Sequence, residues 1–405
     1  MTSCVGIIAE YNPFHNGHLY QLARAKELSG CAFAAVAMSG SFTQRGEPAC
    51  TDKFTRAAWA LANGADIVFE LPALFSLANA ERFARGGVAL LHKSGLVGAL
   101  SFGAEDADAD LLRRLADLTA DECGALKERL DHHLASGKSF PAARAAAIRD
   151  AHGDEELCAA LLSPNNILAL EYLRAIDALC PGMRAFPVQR QGAPHDSGMP
   201  AGGFASASSL RVALDRCDLK LIRSFTPEGV YGDCKRLVAE LRAPYQSAAL
   251  SDAFLYSIRK LSPRELAGLP DVAEGLENAI YREARACTNY GELLAAVKSK
   301  RYTLARLRRI LAYALLGITK EMQRAHPSPL YLRVLGVKRD SIALLSRLAE
   351  AASLPIVTCK ADYDALGDAA RGMLDLDLFA GELLGMAAPA PHAVEYEFTR
   401  PLTMI

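Results

Sequence analysis

Between Val5 and Phe102 the chain alternates short apolar runs with stretches whose apolar positions recur every three to four residues. The short runs are Val5 to Ala9, Ala32 to Met38, Ile67 to Leu71 and Ala99 to Phe102. They predict strands, because unbroken apolar runs of this length suit strands buried on both faces. The stretches Leu19 to Leu28, Phe54 to Ala62 and Ala80 to His92 predict helices, with Leu19, Leu22, Ala23 and Ala25 on the apolar side of the first. Strands alternating with helices indicate βαβ units and an α/β fold with a parallel sheet covered on both faces. In such sheets ligands sit beyond the carboxyl ends of the strands, where strand order reverses. The turns Glu10 to Gly17, Met38 to Glu47, Glu70 to Pro72 and Gly103 to Glu105 are therefore candidate sites.

From Ala107 to Leu179 the pattern is helical, ending near Cys180-Pro181-Gly182. Ala185 to Val188 predicts a fifth strand, and Ser206 to Leu214 a helix that starts on hydroxyl residues. Beyond Arg223 strand-like runs are sparse, apart from a small one at Pro355 to Thr358, and helical patterns such as Ala248 to Leu261 and Leu304 to Glu321 dominate. The expected organisation is an α/β domain over residues 1–225 and a mainly helical domain over residues 226–405.

Composition narrows this only slightly. The chain has 45 basic and 46 acidic residues, so any nucleic-acid surface must be a local patch. Its ten cysteines are scattered, without C-x-x-C pairs or Cys/His clusters at zinc-ligand spacing. That favours reduced thiols over a disulfide framework or a structural metal, and no metal ligands are expected. Met1 to Gly6 enters the first strand pattern without a basic leader, and no apolar stretch is long enough to span a bilayer. A cytoplasmic protein with no membrane partner is expected.

Two motifs carry the chemistry. Glu10-Tyr11-Asn12-Pro13-Phe14-His15-Asn16-Gly17-His18 lies where a strand turns into a helix, so backbone N–H groups and the helix dipole face any anion there. His15 and His18 can donate ring N–H bonds to phosphate oxygens, and Gly17 allows close backbone approach to a nucleotide. Two histidines beside a turn also suit a plain surface, but their place directly after the first strand favours phosphate. The second motif is Phe204-Ala205-Ser206-Ala207-Ser208-Ser209-Leu210-Arg211. Serines at a helix start cap it, and the same helix end can hold phosphate. Arg211 lies one turn after Ser208 and can fork onto a phosphate.

H-x-G-H followed by S-x-S/T-x-x-R resembles the nucleotidyltransferase superfamily of the pantetheine-phosphate adenylyltransferases. Further blocks narrow the likeness: Met38-Ser39-Gly40, Gln44 to Ala49 with Lys53, Gly64 to Pro72, Ser163 to Leu168, and Tyr331 to Gly336. Together they resemble the bacterial tRNA(Met) cytidine acetate ligase family over nearly the whole chain. The resemblance implies a Rossmann-like nucleotidyltransferase domain followed by a mainly helical one. It implies activation of acetate by ATP to acetyl-adenylate, then transfer of the acetyl group to N4 of the wobble cytidine of elongator tRNA(Met). ATP contacts carried over from the family fall on Ile8, Ala9, Glu10, Tyr11, Asn12, Pro13, Phe14, His15, Asn16, Gly17 and His18, and on Gly103, Asn165, Arg190 and Gln191. Ser208 stands where many relatives carry Thr, which keeps the hydroxyl.

Carboxylate attack on the α-phosphorus needs in-line placement and charge neutralisation, with no protein nucleophile. His15 and His18 are assigned to phosphate oxygens in the transition state, and Ser206, Ser208 and Arg211 to the pyrophosphate. Lys53 and Arg56 share a helix face and either neutralise phosphate, hold acetate or are solvated helix charges. Mg²⁺ is expected only through the phosphates. The basic run Lys298, Lys300, Arg301, Arg306, Arg308 and Arg309, with Tyr302 and Tyr313, is either a tRNA-binding surface or an exposed helix face. The loop Met38 to Gly46 is expected to close over the acyl-adenylate or receive the anticodon base. Two other functions remain open: a small-molecule adenylyltransferase, and an RNA-binding protein with a vestigial nucleotide site. Oligomeric state is not legible.

Overall fold

The computed structural model describes residues 4–119, 124–138, 140–191, 203–395 and 397–405. Met1 to Ser3, where the sequence is expected to enter its first strand without a basic leader, lie outside the described residues. The expected strands form as β1 (Cys4–Ala9), β2 (Phe33–Ser39), β3 (Ile67–Leu71), β4 (Val97–Ala104) and β5 (Arg184–Gln189). These five are parallel, in the order β5-β4-β1-β2-β3. Strand order reverses between β1 and β4, which opens a crevice at their carboxyl ends. Pro187 lies in β5, at the sheet edge, where a missing backbone N–H is tolerated.

Both faces of the sheet are covered. In β2, Ala34, Val36 and Met38 point into one core and Ala35 and Ala37 into the other. Helices α1 (Asn16–Ser29) and α2 (Lys53–Ala62) pack on the first face with α6, Ala207–Asp215. The second face carries α3 (Ala80–Lys93) and α5 (Pro164–Leu179), with α4 (Phe140–His152) further out and α7 (Leu304–Leu316) from the second half.

The second half holds more strand than its pattern predicts. Leu332–Val337 forms β6, antiparallel to β3, and pairs in turn with β7 (Ile356–Val357) and β8 (Thr403–Met404). The sheet therefore draws strands from both sides of residue 225, while most elements beyond it are helical. Arg333 disguises β6, since a charge inside an apolar run argues against a fully buried strand. Its guanidinium is nonetheless buried, beside Glu70 and Glu397. No described helix is long and apolar enough to cross a membrane.

Candidate active site

The turn after β1 builds its own helix start from two histidines. His15 is the N-cap of α1: its Nδ1 accepts from the Gly17 N–H at 3.0 Å. The His15 N–H in turn donates to Nδ1 of His18 at 3.2 Å. This is a capping box in which imidazoles replace the usual Ser and Glu. The rings stack with centroids 3.7 Å apart, and Tyr11 meets His18 edge-on at 4.9 Å. With both Nδ1 atoms accepting, each neutral ring carries its proton on Nε2, free to donate to an anion.

Gly17 serves this stacking. A Cβ there would lie 2.8 Å from Cε1 and 3.0 Å from Nδ1 of His15. The glycine makes room for an imidazole, a reason more local than the close approach to a nucleotide expected from sequence. Gly17→Ala is expected to displace His15 and lower the adenylation rate about 10²-fold, with the fold intact. Pyrophosphate exchange alongside thermal melting checks this, and unchanged exchange would refute it.

Burial, reinforced by the nearby cations Arg190 and Arg211, pushes His15 down to about 3. His18 is held well below its usual 6.5 by burial first, then by His15 and Arg190. Below pH 6.5 the unfolded chain protonates both rings while the native state does not, so folding stability falls as pH drops from there toward 3. Above 6.5 their contribution is level. His18→Gln should remove up to about 1.4 kcal/mol per pH unit of that slope. Urea unfolding of both proteins at pH 5 and pH 7.5 tests it; identical slopes would contradict it.

The crevice between β1 and β4 is a cleft of about 240 Å³. Ile8 to Asn12, Gly103, Asn165, Arg190 and His18 line it, and a narrow extension adds His15, Gly17 and Gln191. Pro13 follows a cis peptide bond, and Phe14 is buried beneath the turn. At Gly103 a Cβ would meet only Arg190, at 3.5 Å, so protein packing does not demand glycine there. The open space lies on the cleft side, consistent with room for a nucleotide. Burial lowers the Arg190 guanidinium somewhat, against the pull of Glu105.

Glu105, at the end of the turn after β4, has a role that its place in the sequence does not show. Its carboxylate accepts the backbone N–H groups of Asn165 and Asn166 at 3.1 Å and also the Asn165 side-chain amide. It caps α5 and aims Asn165. Leu168 and Tyr172 share the cleft face with Asn165 at helical spacing, a signal carried by the sequence pattern itself. Ser206 caps α6 through the Ser209 N–H at 3.1 Å. Arg211 donates to the Asn12 carbonyl at 3.0 Å and to the Ser208 hydroxyl at 3.2 Å, so the two motifs touch. Arg211 itself faces an adjoining cleft beside Glu47, rather than the one under Gly103.

Other expected residues are placed elsewhere. Lys53 is buried 2.6 Å from Glu70 and 2.9 Å from Glu397, so its charge is committed to two carboxylates and not to phosphate. Arg56 is fully buried and donates to the carbonyls of Thr51, Glu10, Ser39 and Gly40. It ties together the carboxyl ends of β1 and β2 and is not a solvated helix charge. The loop after β2 is already packed: the Gln44 N–H donates to Glu10 at 2.9 Å, and Gln44 and Arg45 line the cleft. In the basic run, Arg308 pairs with Glu47 at 2.8 Å and Arg309 with Asp271 at 2.7 Å. Tyr313 is buried, so these three fasten α7 to its surroundings, while Lys298, Lys300 and Arg301 are exposed.

Residues 1–397 match the family model described as HIGH Nucleotidyl Transferase. The chain is 36% identical to the tRNA(Met) cytidine acetate ligase of Caldanaerobacter subterraneus subsp. tengcongensis, over 98% of both chains. It is 33% identical to the tRNA(Met) cytidine acetate ligase of Acetivibrio thermocellus, over 99% of both. The chain belongs to the tRNA(Met) cytidine acetate ligase family. The crystal structure of Thermotoga maritima TmcAL bound with alpha-thio ATP superposes with a TM-score of 0.91 at 31% identity, covering 100% of this chain and 99% of that one. Its apo form gives 0.93 over the same shares. For the acetate ligase family, full-length likeness means that the antiparallel extension and the helical second half belong to the shared fold.

Proposed function

We propose that the chain is an acetate ligase that uses ATP to acetylate the wobble cytidine of elongator tRNA(Met), giving N4-acetylcytidine. An acetate oxygen attacks the α-phosphorus of ATP, the bond to the β-phosphate breaks and pyrophosphate leaves. The N4 amine of the cytidine then attacks the acetyl carbon, loses a proton, and AMP departs. The observation that supports this best is the pair of buried neutral histidines at the start of α1, each keeping an Nε2–H donor for an anion. They are suited to hold α-phosphate oxygens as charge shifts during attack, with donors already oriented. Arg190, Gln191, Asn165 and the segment from Ile8 to His18 hold the nucleotide. Arg211, Ser206 and Ser208 take the departing pyrophosphate, for which Arg211 exchanges its contact with Ser208.

Among the described residues no group of three or more His, Cys, Asp or Glu side chains stands together for a metal. Mg²⁺ would enter with ATP, as part of the substrate, and the chain's own residues supply the remaining charge neutralisation. Residues 1–225 carry the nucleotide chemistry and residues 226–405 contribute surface for tRNA, a reading that fits a cytoplasmic enzyme. Exchange of labelled pyrophosphate into ATP should require acetate and proceed without tRNA. Mass spectrometry of tRNA(Met) after reaction with all substrates should show one acetyl group on the wobble cytidine. Exchange that ignores acetate, or an unmodified tRNA, would defeat the reading.

A further inference from the structure

A second cleft, of about 630 Å³, runs beside the nucleotide cleft. One wall is the start of α7 and the loop before it, presenting Arg301, Thr303, Arg306 and Arg309. The other wall is α4 and α5, presenting Phe140, Arg144 and Arg174. Ala80, at the start of α3, lines this cleft and the nucleotide cleft alike. Helix α5 separates the two: Asn165, Leu168 and Tyr172 face the nucleotide side, and Ile167, Glu171 and Arg174 the other. Arg309 also donates to the Gln44 carbonyl at 3.3 Å, and Gln44 lines the nucleotide cleft.

The lining sets five arginines against the carboxylates of Glu81 and Glu171. Glu171 is shared between two of them, at 3.1 Å from Arg174 and 3.8 Å from Arg144. Asp271 and Glu274 pair with Arg309 and Arg301, whereas Arg306 gives its Nε to a neutral partner, the Asp271 carbonyl. Two guanidinium groups lie over rings: Arg144 over Phe140 at 4.7 Å and Arg306 over Tyr302 at 5.0 Å. Phe140 is 46% exposed. Planar cations that fork onto phosphate, beside an exposed ring that can stack a base, are the chemistry that grips an RNA strand.

We propose that this cleft holds the backbone of the tRNA arm carrying the acceptor cytidine, clamped between α4–α5 and α7, with the cytidine entering the nucleotide cleft past Ala80. This rests on the tRNA acetylation reading. It differs from a tRNA surface on the α7 basic run alone, because half the grip comes from the helices between β4 and β5. The clamp also places the RNA next to the nucleotide cleft, across α5 and Ala80.

The test is binding of an unmodified tRNA(Met) transcript to the full-length protein across a salt series. Acetate-dependent pyrophosphate exchange without tRNA serves as the control for an intact fold and nucleotide site. Arg144→Ala and Arg301→Ala should each weaken binding about tenfold near 0.1 M salt and reduce the log–log salt slope by about one. Phe140→Ala should weaken it about tenfold with the slope unchanged. Exchange should stay within about twofold of wild type in all three. If wild type binds and Phe140→Ala and Arg144→Ala bind equally well, the clamp is overturned, even where Arg301→Ala is weaker. If wild type supports acetate-dependent exchange yet binds no tRNA, the acceptor reading fails and takes the clamp with it.

Discussion

His18→Ala should lower acetate-dependent pyrophosphate exchange by at least about 10³-fold while leaving ATP binding within about tenfold of wild type. A single oriented donor to transition-state charge is worth roughly 10²–10³ in rate. His18 does more than supply one. Its Nδ1 accepts the His15 N–H at 3.2 Å, and its ring stacks on His15 at 3.7 Å. Truncation therefore removes one donor and loosens the other. ATP binding survives because Arg190, Asn165 and the β1 end still line the cleft. His18→Gln keeps an amide N–H without the imidazole stacking, and part of the rate should return. Single-turnover exchange and equilibrium ATP titration decide the matter. A His18→Ala enzyme with more than about a tenth of wild-type exchange would remove the histidine pair from the chemistry.

That prediction rests on residues legible before the fold was known, and the reason is local. A strand followed directly by H-x-G-H makes its anion site within nine residues, from one turn and one helix start. Asn12 and Arg211, 199 positions apart, come together because α6 packs against the same face of the sheet as α1. The sequence suggested that pairing through motif order alone. What sequence pattern missed are groups whose meaning depends on distant partners. Arg56 reads as a phosphate or acetate ligand or a solvated helix cation until the carbonyls of Glu10, Ser39 and Gly40 converge on it. β6 goes unmarked among the helical patterns beyond Arg223 until Arg333 finds two buried carboxylates. Arg308 and Arg309 read as an RNA-facing run or an exposed helix face until Glu47 and Asp271 pair with them. Charge in a one-dimensional pattern signals exposure, and these charges are exceptions because each is paired across the fold.

Lys53 is the sharpest such case, and its replacement separates the two readings of this residue. Lys53→Met should destabilise the protein by about 3–5 kcal/mol and leave the ATP KM of the folded enzyme unchanged. Lys53 and Arg333 alternate with Glu70 and Glu397 in a buried group, the four side chains being 2%, 4%, 1% and 8% exposed. Two positive and two negative charges cancel. Removing Lys53 leaves two carboxylates on one guanidinium, with no water to solvate the excess. The loss is a large part of an ordinary folding free energy of about 5–15 kcal/mol. It falls on the junction that pins β6 and the segment near Glu397 to the end of β3. The double variant Lys53→Met with Glu70→Gln restores neutrality, since Arg333 keeps Glu397 at 2.6 Å. It should therefore be more stable than Lys53→Met alone, which is coupling of the kind a double-mutant cycle detects. Urea unfolding of wild type, both single variants and the double variant gives that coupling energy. Additive effects would dissolve the ion group as a unit. A raised ATP KM in stable, folded Lys53→Met would return this lysine to the phosphates.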